Sequence, residues 1–409
     1  MRLTLHTNLS ALIVVSALGL SGGCKHVRDF LIPPQSNVNV RGHADRNAVW
    51  ADMVLRNVRT AEADDVMVAI GKGRVLAIGS EAEVGKFIGP GTPLRDVRKG
   101  FLSPGFVDAH VHLDGMALAF DGINLSKAKT VEDVQAVLLP ASELVGNGGW
   151  MWAYGASHAL LAKLSATTLD NVKPDIAVWV SGQDGHAAVI SRGLADMLPA
   201  SAGPLIAGKQ GRLDAITSGA VWRLLPLPSL ARTRPLILRA LAAMAHNGYT
   251  TVHTMGATLA FLHVLIDLER SGRLQNRVFV YLDAAGKSVD RYLLERAARL
   301  RPTKPGQKPR QNVALPDDET RKVRVVGVKM WLDGSLGART AALSANYADA
   351  PTKGALRYDD DAVGSLLERT DAAGLQLALH AIGDAAVAQV VRVLQSARRP
   401  KGALPVRIE

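Results

Sequence analysis

Two histidines spaced by one residue end the run Gly105-Phe106-Val107-Asp108-Ala109-His110-Val111-His112. Entered through Ser103-Pro104, the run reads as a strand, and a strand sends alternate side chains to opposite faces. Phe106, Asp108, His110 and His112 then share one face, with Val107, Ala109, Val111 and Leu113 on the other. The two imidazoles would stand roughly 6.6 Å apart along the strand, close enough to share one metal ion. Two ordinary core or edge histidines fit the same spacing. Against that reading, an Asp-x-His-x-His face backed by apolar residues is costly to bury without a ligand.

Two later runs repeat the design. Arg324 to Asp333 puts Val326, Val328, Met330 and Leu332 on an apolar face, and Gly327, Lys329, Trp331 and Asp333 on the other. In a barrel that second face points inward, which places an ammonium in the interior. Such a lysine must pair, with Asp333 or Asp108 for instance, or lose its proton, or be modified. Leu375 to Ala381 likewise turns Leu375, Leu377, Leu379 and Ala381 outward and Gln376, Ala378 and His380 inward. Three strands thus send metal-competent groups to one interior. Gln183-Asp184-Gly185-His186 follows a possible strand at 176–181, where His186 can equally line a substrate pocket or turn the chain.

These residues need a scaffold. From Pro235 onward strands and helices alternate: helices at 236–247, 259–271 and 289–300, strands at 249–255 and 277–284. That rhythm predicts parallel strands with helices packed outside. Residues 50–103 read differently, as short strands at 51–58, 66–70 and 74–78 with a hairpin turn at Gly71-Lys72-Gly73, too little chain for a core of any size. Residues 120–235 carry helical runs at 131–145 and 157–164. Arg301 to Gln311, rich in proline and basic residues, reads as a solvated loop. Residues 1–23 have the short polar start, apolar stretch and small residues of an export signal, too short to span a bilayer. Cys24 follows them as the only cysteine, so no intramolecular disulfide is possible. Residues 24–49 form a polar tether.

Gly-Phe-Val-Asp-Ala-His-Val-His, the segment 328–341 (Val-Lys-Met-Trp-Leu-Asp-Gly-Ser-Leu-Gly-Ala-Arg-Thr-Ala) and His-Ala-Ile-Gly-Asp-Ala-Ala from His380 resemble the metal-dependent amidohydrolase superfamily, most closely its amidohydrolase-3, YtcJ-like branch. The resemblance implies an α/β fold: a (β/α)8 TIM-type barrel over residues 104–409. A small flanking β-sandwich would begin with residues 50–103, and an insertion of about 120–235 would follow the first barrel strand. It also implies a hydrolase of non-peptide C–N bonds in small molecules, in which metal-activated hydroxide attacks a carbonyl. His110, His112, Lys329 and His380 match the metal positions, with one or two divalent ions, zinc foremost; in a binuclear site Lys329 is carboxylated. His186, Asp333 and Arg339 are the candidate substrate contacts. The signal and Cys24 resemble a bacterial lipoprotein leader, which implies export to the cell envelope or periplasm and a lipid anchor on Cys24.

The departures shape further expectations. Relatives continue beyond an Arg-Ile-Glu like Arg407-Ile408-Glu409 with a histidine ligand and later a catalytic aspartate. The barrel here is therefore expected to be incomplete, ending at its sixth strand, with activity impaired. Thr254 and Arg223 stand where relatives often carry acids. A net charge of +11 over 409 residues comes without any nucleic-acid motif, so nucleic acid is not an expected partner. The alternative to an enzyme is a non-catalytic envelope lipoprotein that binds ligands on the same scaffold.

Overall fold

The computed structural model describes residues 49–145, 149–173, 175–222, 224–225, 230–285, 287–300 and 321–409. The export signal, Cys24, the tether up to residue 48, Arg223 and the basic run 301–311 lie outside the described residues. The chain divides into two units, one reaching to Val107 with His246–Thr251, the other comprising Asp108–Ala245 and Val252–Glu409.

In the first unit, β1 (Met53–Arg59), β2 (Val66–Gly71), β3 (Arg74–Gly79) and β4 (Leu94–Phe101) form one sheet in the order β3-β2-β1-β4. The antiparallel β2–β3 pair closes through Lys72 and Gly73, both with positive φ, the two-residue turn that matches strand twist. β1 runs antiparallel to β2 and parallel to β4 and is buried on both faces. Val54 packs with Ala51, Ala69 and Val84, whereas Leu55 and Val58 pack with Val68. A bulge between Leu55 and Val58, with Asn57 at φ 56, lets residues three apart share a face. The three expected strands are present within two residues of their predicted ends.

β5 (Phe106–Val111) leads into the second unit. The insertion then builds its own five-stranded sheet from β6 (Ile123–Asn124), β7 (Met151–Ala156), β8 (Val178–Gly182), β9 (Ala188–Ile190) and β10 (Arg212–Leu213). Sequence reasoning predicted only the strand at 176–181: β6, β9 and β10, of two or three residues, show no alternation to read, and the six-residue β7 was missed as well. The helix expected over 157–164 contracts to His158–Leu161.

The remaining strands are β11 (Tyr249–Ala257), β12 (Arg277–Asp283), β13 (Val323–Trp331), β14 (Gln376–His380) and β15 (Arg407–Ile408). With β5 they make a six-stranded sheet in the order β5-β11-β12-β13-β14-β15, parallel from β12 to β15. Helices Leu259–Arg270, Lys287–Leu300, Asp360–Ala372 and Asp384–Ser396 follow the successive strands β11 to β14. Neighbouring strands in chain order, each returning through a helix, are the TIM-like arrangement the resemblance implied. The sheet curls, because its outer strands touch: Arg407 donates to the Ala109 carbonyl at 3.0 Å.

Candidate metal centre

Alternation in β13 works as the sequence predicts. Val328 and Leu332 are buried outward, and Lys329, at 0% exposure, points into the curl of the sheet. Register sets Lys329 opposite Asp283 of β12 and Ala378 of β14, and Trp331 opposite His380. Of the alternatives open to it, an ion pair with Asp333 or Asp108 is not made. Asp108 accepts the backbone N–H of His110 at 3.0 Å, and the Lys329 Nζ has no hydrogen-bond partner among the described residues. Burial lowers its pKa to about 8, opposed by the nearby Glu409 carboxylate and aided by Arg407.

His112 lies one residue past the strand. β5 ends at Val111, and His112 is the residue from which helix Leu113–Ala119 starts. Its ring still stands 5.5 Å from that of His110, at 76° to it. The Nδ1 of His112 donates to the Met255 carbonyl at 2.9 Å, and the Nδ1 of His110 meets the Glu409 carboxylate. His380 uses its other nitrogen, Nε2, on the Gly334 carbonyl at 2.9 Å. Each of the three imidazoles thus has one nitrogen engaged by an acceptor, which leaves the second as a lone pair. Burial, ahead of smaller effects from His186 and Lys329, lowers the His380 pKa to about 4 and keeps that lone pair free.

Trp331 walls this pocket. Its ring stacks on His112 at 6.3 Å and lies 6.0 Å from the Lys329 Nζ. Gly256, at φ 75, makes room for it, since a Cβ there would stand 2.3 Å from the indole. Thr254 is buried and accepts the Leu113 N–H at 3.3 Å.

The three candidate substrate contacts are placed differently from one another. His186 lies against the pocket, its ring 5.2 Å from His380, with burial holding its pKa below the ordinary value against the pull of Asp184. Asp333 is fully buried and already occupied: Oδ2 accepts the amides of Ala342 at 2.9 Å and Gly383 at 2.8 Å, and Oδ1 that of Ile382 at 3.1 Å. It braces the loops after β13 and β14 from a fully buried position. Arg339 is exposed and held by both oxygens of Asp349, at 3.0 and 2.6 Å, on the rim of an open cavity of about 470 Å³.

Sequence reasoning missed Glu409 as a site residue. Its two-residue spacing from Arg407 in a strand was the available signal. It also missed the partners of Asp184, His158 and Ser335, which are distant in the chain and carry no such signal. Among the described residues, no three histidine, cysteine or carboxylate side chains stand together in metal-binding geometry. The fit to a divalent ion therefore rests on donor chemistry, namely three imidazole lone pairs and an unpartnered buried amine facing one pocket.

The model of the amidohydrolase family matches residues 94–409. The protein LONG AFTER FAR-RED 3 of Arabidopsis thaliana is 25% identical over 374 residues, covering 87% of this chain and 63% of that protein. The chain thus spans somewhat under two thirds of that relative. The N-substituted formamide deformylase of Arthrobacter pascens is 28% identical over 151 residues, 35% of this chain and 28% of the enzyme. Among solved structures, an uncharacterized metal-dependent hydrolase from Pyrococcus horikoshii OT3 superposes with a TM-score of 0.66 at 24% identity. That match covers 87% of this chain and 69% of the hydrolase, and it shows the shared fold.

Proposed function

Since the chain belongs to the amidohydrolase family, we propose that the whole protein is a metal-dependent hydrolase of non-peptide C–N bonds in small molecules, N-substituted formamides among them. The observation that carries this reading is the pocket of His110, His112, His380 and Lys329, in which, among the described residues, one nitrogen of every imidazole is engaged and the other is not, and the amine has no hydrogen-bond partner. These four residues would hold one or two divalent ions, zinc foremost. When bound, such an ion polarises a carbonyl and acidifies water. The chain's own part is to orient the donors: Met255, Glu409 and Gly334 each engage one ring nitrogen, and burial lowers the pKa of Lys329. A neutral Lys329 amine can attack carbon dioxide; as the N–C bond forms the nitrogen gives up a proton, leaving a carbamate with two donor oxygens.

The test is metal analysis and turnover of the full-length protein on a panel of N-substituted formamides and other small amides. Bound divalent metal, lost in His110→Ala and Lys329→Ala together with hydrolysis, is expected. Full metal occupancy in both variants refutes the assignment, and ligand binding without turnover by the loaded protein favours a non-catalytic binding protein. We further propose export and lipid anchoring through Cys24, motivated by Ser21-Gly22-Gly23 before it. Labelled palmitate should enter the wild type and not Cys24→Ser; equal labelling of both overturns the anchor.

A further inference from the structure

Asp184 joins three parts of the second unit that are far apart in sequence. Its Oδ2 accepts the hydroxyl of Ser335 at 2.8 Å and the Nε2–H of His158 at 3.0 Å. Its Oδ1 accepts the backbone N–H of His186 at 3.1 Å. His158 opens a short helix of the insertion, and Ser335 lies in the loop that leaves β13, two residues past the brace Asp333. The fit is close: a Cβ on Gly337 would lie 2.5 Å from Cε1 of His158, so the loop meets the imidazole only because residue 337 has no side chain. Two segments that supply none of the four proposed metal donors, Gln183 to His186 and Gly334 to Gly337, are thereby fastened to each other, and the second also carries the Gly334 carbonyl that engages His380. On the other side of this junction lies the open cavity of about 470 Å³, whose lining includes His158, Ala187, Gly337 and Arg339.

We propose that Asp184 is a positioning residue. It latches the insertion onto the loop after β13, and so holds the His186 imidazole beside His380, where it meets the substrate. The carboxylate suits the task, because it accepts all three donors at once from one rigid group. An amide in its place carries no charge and replaces one acceptor oxygen by a donor, so the latch loses its charge-assisted bonds and at least one partner must weaken or reverse its hydrogen bond. The role of His186 in this inference rests on the proposed hydrolase activity; the latch itself does not.

The experiment uses the full-length, metal-loaded protein with an N-substituted formamide as probe. Asp184→Asn is expected to lower kcat/KM by about 10- to 100-fold, the scale for losing a residue that orients a functional group, while metal content stays at the wild-type level. In a His186→Gln background the same substitution should add little, because it acts through His186. Ser335→Ala should show a smaller loss, and Ser335→Thr, which restores the hydroxyl, should recover most of it. Gly337→Ala, which displaces only the His158 arm, gives an independent variant should Asp184→Asn fold poorly. Hydrogen exchange of residues 183–190 and 334–342 should speed up together in Asp184→Asn and in Ser335→Ala. Losses that multiply with His186→Gln, or metal loss parallel to activity loss, overturn the positioning role. Unchanged exchange in both segments overturns the latch. Should the wild type hydrolyse none of the amides, the hydrolase reading and the role of His186 fall, and the exchange result still decides whether the latch exists.

Discussion

Replacing Lys329 by methionine should make the metal-free protein more stable while abolishing metal binding. Lys329 is fully buried, its Nζ lacks a hydrogen-bond partner among the described residues, and its pKa falls from 10.5 to about 8. At roughly 1.4 kcal/mol per decade, carrying the charged form into the folded state costs about 3 kcal/mol. The folded-state pKa is the lower one, so the unfolded chain binds more protons between about 8 and 10.5, and wild-type stability rises with pH across that window. Below about pH 8 the whole cost is present. Methionine nearly matches the volume and carries no charge, and imperfect repacking should cost about 1 kcal/mol. The net gain at pH 7 is then about 2 kcal/mol, shrinking toward zero or below as the pH approaches 10.5. The assay is urea unfolding of the chelator-treated full-length protein in bicarbonate-free buffer at pH 7, 8.5 and 10, followed by metal titration. A variant less stable than wild type at pH 7, or a difference that does not change with pH, refutes the reasoning.

Asp333→Ala should do the opposite, leaving the amides of Ala342, Ile382 and Gly383 without their acceptor and lowering stability by about 3 kcal/mol or more, read from the urea midpoint. Gly256→Ala meets both a φ of 75 and the Trp331 ring, so a loss of about 1–3 kcal/mol is expected, with a shift in tryptophan emission as the indole moves. His380, with a folded pKa of about 4 against 6.5, makes the metal-free fold lose stability as the pH drops from 6.5 through 4; His380→Asn should flatten that part of the stability profile.

Local pattern alone reached the strands and their inward faces. Alternation over nine residues of β13 predicted an interior Lys329, and the same rule in β14 predicted an interior His380, because a strand's two-residue period is a property of the backbone itself. The helices after β11 and β12 were legible for a similar reason. The place of His112 just past its strand, and most of the insertion sheet, were not. The strand stops one residue before His112, and two-residue strands such as β6 and β10 exist only because neighbours supply their hydrogen bonds. Only the tertiary structure decided which acid does what. Asp333, Asp108, Asp184 and Glu409 are chemically alike in the sequence. Folding gives Asp333 to three amides, Asp108 to its own strand, Asp184 to a junction of distant loops and Glu409 to His110, and it leaves Lys329 unpartnered. A carboxylate takes its partners from whatever donors come within hydrogen-bond distance in space, and chain spacing does not encode that distance for residues a hundred or more positions apart.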